Sequence, residues 1–187
     1  MTDASPSLLE TRAASLDELR ELARAGRLYA VIDACDTPAV PEKARELGDE
    51  RAVSLYRASA DEMYWAFAPY LFRVDWDLLD WIIADLWHEP WGIFAVADES
   101  LEEVRRHFRR FLLVHAPDGE QWYFRFYDPR VLPPFLQAST AGEIAELFGT
   151  LHAFVVQRPG SLLPEYFSRT HADASPSRIR IRLHRTD

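Results

Sequence analysis

The chain has little of what most catalytic and cofactor-binding motifs require. With 7 glycines in 187 residues, it holds neither a GxGxxG nor a Walker A phosphate loop. There is no GxSxG nucleophile elbow. A single cysteine, Cys35, has no internal disulfide partner and fits a reducing compartment. Cys35 lies between Asp33 and Asp36, whose charges disfavour a thiolate, so it reads as structural rather than nucleophilic. The six histidines (88, 107, 115, 152, 171 and 184) are scattered, and none has a His or Cys neighbour at metal-ligand spacing. No basic segment followed by an apolar run opens the chain, so no signal peptide is expected. The greasiest stretch, around Trp76–Trp87, is short and interrupted by Asp77, Asp80 and Asp85, which excludes a membrane-spanning helix there.

Positive charge is also scarce. The formal net charge is −9, which argues against general nucleic-acid binding, because phosphate neutralisation needs clustered Lys and Arg. The charge is uneven: from Tyr166 onward there are five Arg against two Asp, net +3, leaving −12 for the remainder. Aromatics are abundant at 13%, enough for a bulky core and for partner-anchoring positions. The length suits one globular domain, divided here as a loose N-terminus (1–14), an α/β domain (15–167), and a linker with an Arg-rich tail (168–187).

The segment from Phe111 to Leu136, FLLVHAPDGEQWYFRFYDPRVLPPFL, organises the rest. Two apolar runs flank Pro117-Asp118-Gly119, which predicts an antiparallel hairpin over 111–127. Pro129 ends the second strand and biases Asp128 towards an extended conformation. Arg125, Tyr127, Asp128 and Arg130 are thereby gathered at one corner of a sheet. A cluster of Arg125, Asp128 and Arg130 could fix that corner as ion pairs.

Elsewhere, capping boxes mark helix starts at Ser15/Glu18, Ser100/Glu103 and Thr140/Glu143. Helices are expected at 16–25, up to Leu47, at 59–67, 76–87, from Leu101, and up to Phe148. Strands are expected at 28–34, 52–56, 70–74, 91–97 and 151–157, with Arg178–Arg185 (RIRIRLHR) as an edge-strand pattern. Alternating helices and strands predict α/β layering with parallel pairs, and the hairpin makes the sheet mixed.

Helical spacing puts Trp81 between Asp77 and Asp85, on the acidic arc of the 76–87 helix, so it is either covered by a neighbouring segment or a partner anchor. Arg105, Arg106, Arg109 and Arg110 line the polar side of the helix from Leu101, as a solvated face or a docking face for an acidic partner. Asp33, Asp36 and Asp128 are the only route to acid–base chemistry; such aspartates also commonly cap loops.

LYAVIDA (28–34), APYL (68–71), WGIF (91–94), RRFLLV (109–114), the Asp118-Gly119 turn and FRFYDPRVLPPFL (124–136) together resemble the type VI secretion effector-adaptor, or effector-chaperone, family, over about Leu28 to Gln157. The resemblance implies a bacterial cytoplasmic protein that binds a toxic effector and helps load it onto the VgrG spike, without catalysis, cofactor or metal. It carries over Tyr127, Asp128, Pro129 and Arg130 as the signature corner. The Arg-rich tail is not part of the shared pattern. Partner-binding candidates are Trp81, Arg105, Arg106, Arg109, Arg125, Tyr127, Asp128 and Arg130. The competing expectations are an immunity protein that neutralises a toxin and a carboxylate-based hydrolase.

Overall fold

The computed structural model describes residues 9–35, 37–56, 67–115 and 120–170. The predicted helix at 59–67, apart from Phe67, the Pro117-Asp118-Gly119 turn, Asp36 and the Arg178–Arg185 pattern lie outside them. In chain order the elements are β1 (Leu9–Ala13), α1 (Leu16–Arg24), β2 (Leu28–Asp33), α2 (Ala39–Leu47), β3 (Ala52–Ser54), β4 (Pro69–Arg73), α3 (Trp76–Trp81), β5 (Gly92–Val96), α4 (Leu101–Arg109), β6 (Leu113–His115), β7 (Gln121–Tyr123), α5 (Leu132–Ala138), α6 (Ala141–Phe148), β8 (Ala153–Val156) and β9 (Glu165–Arg169). The fold is α/β, with a seven-stranded sheet in the order β1-β9-β8-β5-β2-β4-β3 and a separate two-stranded sheet, β6-β7.

Every strand pair among the described residues is antiparallel, which corrects the expected parallel pairs. The reason lies in how both faces of the sheet are covered. Along β2, Tyr29 and Val31 enter one apolar cluster with Val104, Phe108 and Phe148; Leu28, Ala30 and Ile32 enter another with Leu19, Val40 and Leu79. Helices thus pack on both faces, so β2 is buried throughout and apolar up to Asp33, as strands of parallel sheets usually are. Such a run reports two-sided burial, whatever the direction of its neighbours.

The capping boxes form at Ser100/Glu103 and Thr140/Glu143. At α1 only half forms: Ser15 accepts from the Glu18 amide, while the Glu18 carboxylate pairs with Arg12 of β1. This pairing anchors the N-terminal strand. The stretch expected to be loose therefore contributes Leu9–Ala13 to the sheet edge, in register with β9. Ser168 and Arg169, expected in a linker, belong to β9. The expected 76–87 helix is α-helical to Trp81 and continues as a wider π-helical turn, Ile82–Leu86, that keeps Ile82 and Leu86 buried.

The hairpin forms, but its ladder is shorter than 111–127: Leu113–His115 pair with Gln121–Tyr123, and the Phe124 amide donates once more, to the Leu112 carbonyl. Beyond it, Phe124, Phe126 and Tyr127 are all buried. Phe126 stacks on Phe108 at 5.1 Å between ring centroids, and Phe124 lies 4.7 Å from Phe135. Val131–Leu136 is largely helical: α5 carries Pro133 and Pro134 in its first turn, where their missing N–H groups cost nothing.

Candidate functional site

The 124–130 segment leaves the hairpin and turns tightly at Asp128. The Asp128 amide donates to the Arg125 carbonyl at 3.0 Å, and the amides of Val131 and Leu132 donate to the Asp128 carbonyl. The Asp128 side chain, 6% exposed, accepts from the Arg130 amide at 2.9 Å, an Asx-type turn that holds the residues after Pro129. It also accepts from Arg130 Nε at 2.9 Å and from Nη2 at 2.7 Å, a bidentate pair. Burial opposes ionisation of Asp128. The side-chain and backbone bonds from Arg130, with the nearby Arg125 charge, outweigh it and hold the carboxyl below its ordinary range.

Arg125, Tyr127, Asp128 and Arg130 are therefore brought together, as the residue order predicts. The structure adds Asp33. Arg125 Nη2 bonds Asp33 Oδ2 and lies 3.7 Å from Asp128 Oδ2. Burial disfavours the Arg125 charge, but the carboxylates of Asp33 and Asp128 and the nearby Tyr127 more than compensate, and its pKa is raised. Asp33 ends β2, its amide bonded to the Trp91 carbonyl and its Oδ1 accepting from the Cys35 amide at 3.0 Å. The sequence offers Asp33 as an acid–base candidate; here it fastens the hairpin corner to the central sheet.

A second group unmarked in the sequence is a row of tyrosines. Tyr56, Tyr123 and Tyr127 lie side by side, and the rings of Tyr56 and Tyr123 meet edge to face at 5.9 Å. Burial first, and then the neighbouring phenols, push the Tyr123 phenol far above its ordinary range; burial and Asp33 do the same for Tyr127. Both phenols are neutral. Arg125 lies beside the Tyr127 ring, 5.9 Å from its centroid, so the row and the ion-pair cluster are continuous.

The remaining candidates are placed elsewhere. Trp81 is half-buried against the cluster beneath α1 and α2, with Lys43 of α2 over its ring at 5.6 Å. Arg105 donates from Nε to the Ser54 carbonyl at 3.1 Å and pairs with Glu102, so it pins α4 to β3. Arg106 is exposed and Arg109 half-buried. Among the described residues no group of three or more His, Cys, Asp or Glu side chains is placed to hold a metal ion. No helix among them is long and apolar enough to cross a membrane.

Residues 28–146, more than half of the chain, match the family model described as "Domain of unknown function (DUF4123)". The match runs from β2 into α6, includes the whole corner, and excludes β1, β8 and β9. No curated protein and no solved structure matches the chain.

Proposed function

The chain belongs to the DUF4123 family, and from that premise we propose that it is a non-catalytic adaptor: it binds a type VI secretion effector in the bacterial cytoplasm and helps load it onto the VgrG spike. The resemblance carried by YDPR, WGIF and the intervening segments supplies the secretion context. The observation that carries the binding reading is the fate of the corner's carboxylates. Asp33 and Asp128 are each bonded to a guanidinium, and Asp128 is held ionised. General acid–base work needs one carboxyl poised near the working pH and open to a substrate. A paired, inward-facing set instead supports a rigid platform, around which surface side chains contact a partner.

The experiment is deletion of the gene in its host. The adaptor reading expects the cognate effector to stay inside viable cells while other type VI cargo is still released, with secretion restored by the wild-type gene. Loss of viability, rescued by inactivating the toxin, identifies an immunity protein instead. Unchanged secretion and unchanged viability defeat the adaptor reading.

A further inference from the structure

The β6–β7 hairpin has two unlike faces. On one, Val114 is buried and Trp122 is half-buried against the core. On the other, Leu113 and Tyr123 are cross-strand neighbours, 53% and 41% exposed. The Tyr123 ring packs edge to face on Tyr56 at 5.9 Å, so it is a supported surface rather than a loose side chain. Rigid Tyr side chains and Arg are favoured at protein contacts because they bury large area at low entropic cost.

The ion-pair cluster begins with Arg125, shortly after Tyr123 in the chain, and is layered. Asp33 and Asp128 lie inward, and the Arg125 and Arg130 guanidinia face outward, Arg130 with 64% of its side chain exposed. A guanidinium carries five N–H donors. Arg130 spends Nε and Nη2 on Asp128 and Arg125 spends Nη2 on Asp33, which leaves the Nη1 groups of both without an acceptor among the described residues. The outer layer is therefore cationic and retains donors, on a chain whose net charge is −9.

We infer that the Leu113–Tyr123 face, flanked by Arg125 and Arg130, is the docking surface for a partner segment that sets an apolar side chain between carboxylates. This deepens the adaptor reading and rests on it for the identity of the partner. The apolar side chain covers Leu113 and packs on the Tyr123 ring. The carboxylates take the unused guanidinium donors without displacing Asp33 or Asp128.

The test uses a short synthetic peptide of Leu and Phe spaced by Glu, and its Gln counterpart, titrated into the full-length labelled protein by NMR. The expected result is perturbation centred on Leu113, Tyr123 and the Nε–H groups of Arg125 and Arg130. The Glu peptide should bind at least about fivefold more tightly than the Gln peptide, with the advantage shrinking as salt rises. Leu113→Asp, at a solvent-facing position, should keep the fold and lose the binding. Equal affinity of the two peptides, perturbation elsewhere, or undiminished binding by Leu113→Asp overturns the inference. Recovery of an effector by Leu113→Asp at wild-type yield also refutes this surface while leaving the adaptor reading intact. Failure to recover any effector with the wild type refutes the adaptor reading, and the peptide titration still decides the surface.

Discussion

Arg125 is bonded to Asp33, which stands 92 positions earlier in the chain, and through that contact the hairpin corner is fastened to the end of the central strand. The pair is half-buried, with Asp33 the more enclosed partner. Solvent screening at the Arg125 side limits its worth. In a double-mutant cycle of Asp33→Ala and Arg125→Ala, urea unfolding should give a coupling of about 1 kcal/mol. Additive effects would mean that the contact does not hold the corner.

Asp128→Ala should cost more, about 2–3 kcal/mol, because it removes an enclosed acceptor of the Arg130 amide together with the bidentate pair to Arg130. Asp128→Asn, which keeps an acceptor for that amide, should recover part of the loss. Because the folded-state carboxyl lies below its ordinary value, its contribution is present above the unfolded-state pKa of about 3.9 and disappears as pH falls through the folded value. Melting temperature followed below about pH 4 should therefore fall more steeply in the wild type than in Asp128→Asn.

His107 gives a second pH dependence. Its Nε2–H donates to the Leu147 carbonyl at 2.7 Å, and its Nδ1 accepts from Arg110 at 3.0 Å, which describes a neutral ring. Burial lowers its pKa and the Arg110 charge lowers it further; the bond to Leu147 and the charge of Glu99 oppose them without prevailing. The unfolded chain then takes up the proton first, so stability contributed by neutral His107 is lost as pH falls below about 6.5. His107→Gln should flatten the dependence of unfolding free energy on pH between about 7.5 and 5. An equal slope in both proteins would contradict this reading.

Gly149→Ala strikes the same contact. Gly149 has a φ of +53°, and a Cβ there would lie 2.6 Å from His107 Cε1. The strained backbone and the displaced ring together should cost about 1–3 kcal/mol in urea unfolding.

Phe126→Ala should be the most damaging of these, at about 3–5 kcal/mol, because Phe126 is fully buried and packs on Phe108, Phe111, Phe124 and Tyr127. A loss below about 1 kcal/mol would mean that the corner is not part of the core.

These residues also show what a sequence carries on its surface. Helix starts are local events, so Ser100/Glu103 and Thr140/Glu143 are legible as written. The gathering of Arg125, Tyr127, Asp128 and Arg130 is legible too, because they are near neighbours around a proline. The Asp33–Arg125 bond is not, since nothing within a few residues of either names the other. The Tyr56–Tyr123–Tyr127 row fails for the same reason. β1 is hidden differently: LETRA is exposed but for Leu9, and its place comes from backbone pairing with β9 and from Arg12 reaching Glu18. Strand direction is not legible, because burial on both faces erases the alternation that would mark an antiparallel strand.

An adaptor of the kind proposed bridges an effector and a spike without chemistry of its own. The most direct measurement is light scattering on size-exclusion fractions of the chain co-expressed with its neighbouring effector and VgrG. An adaptor gives one species whose mass requires all three proteins, and the effector is lost from the spike when this chain is omitted. An effector–spike complex that forms equally well without it, or a chain that binds only the toxic part and abolishes its activity, would contradict the claim.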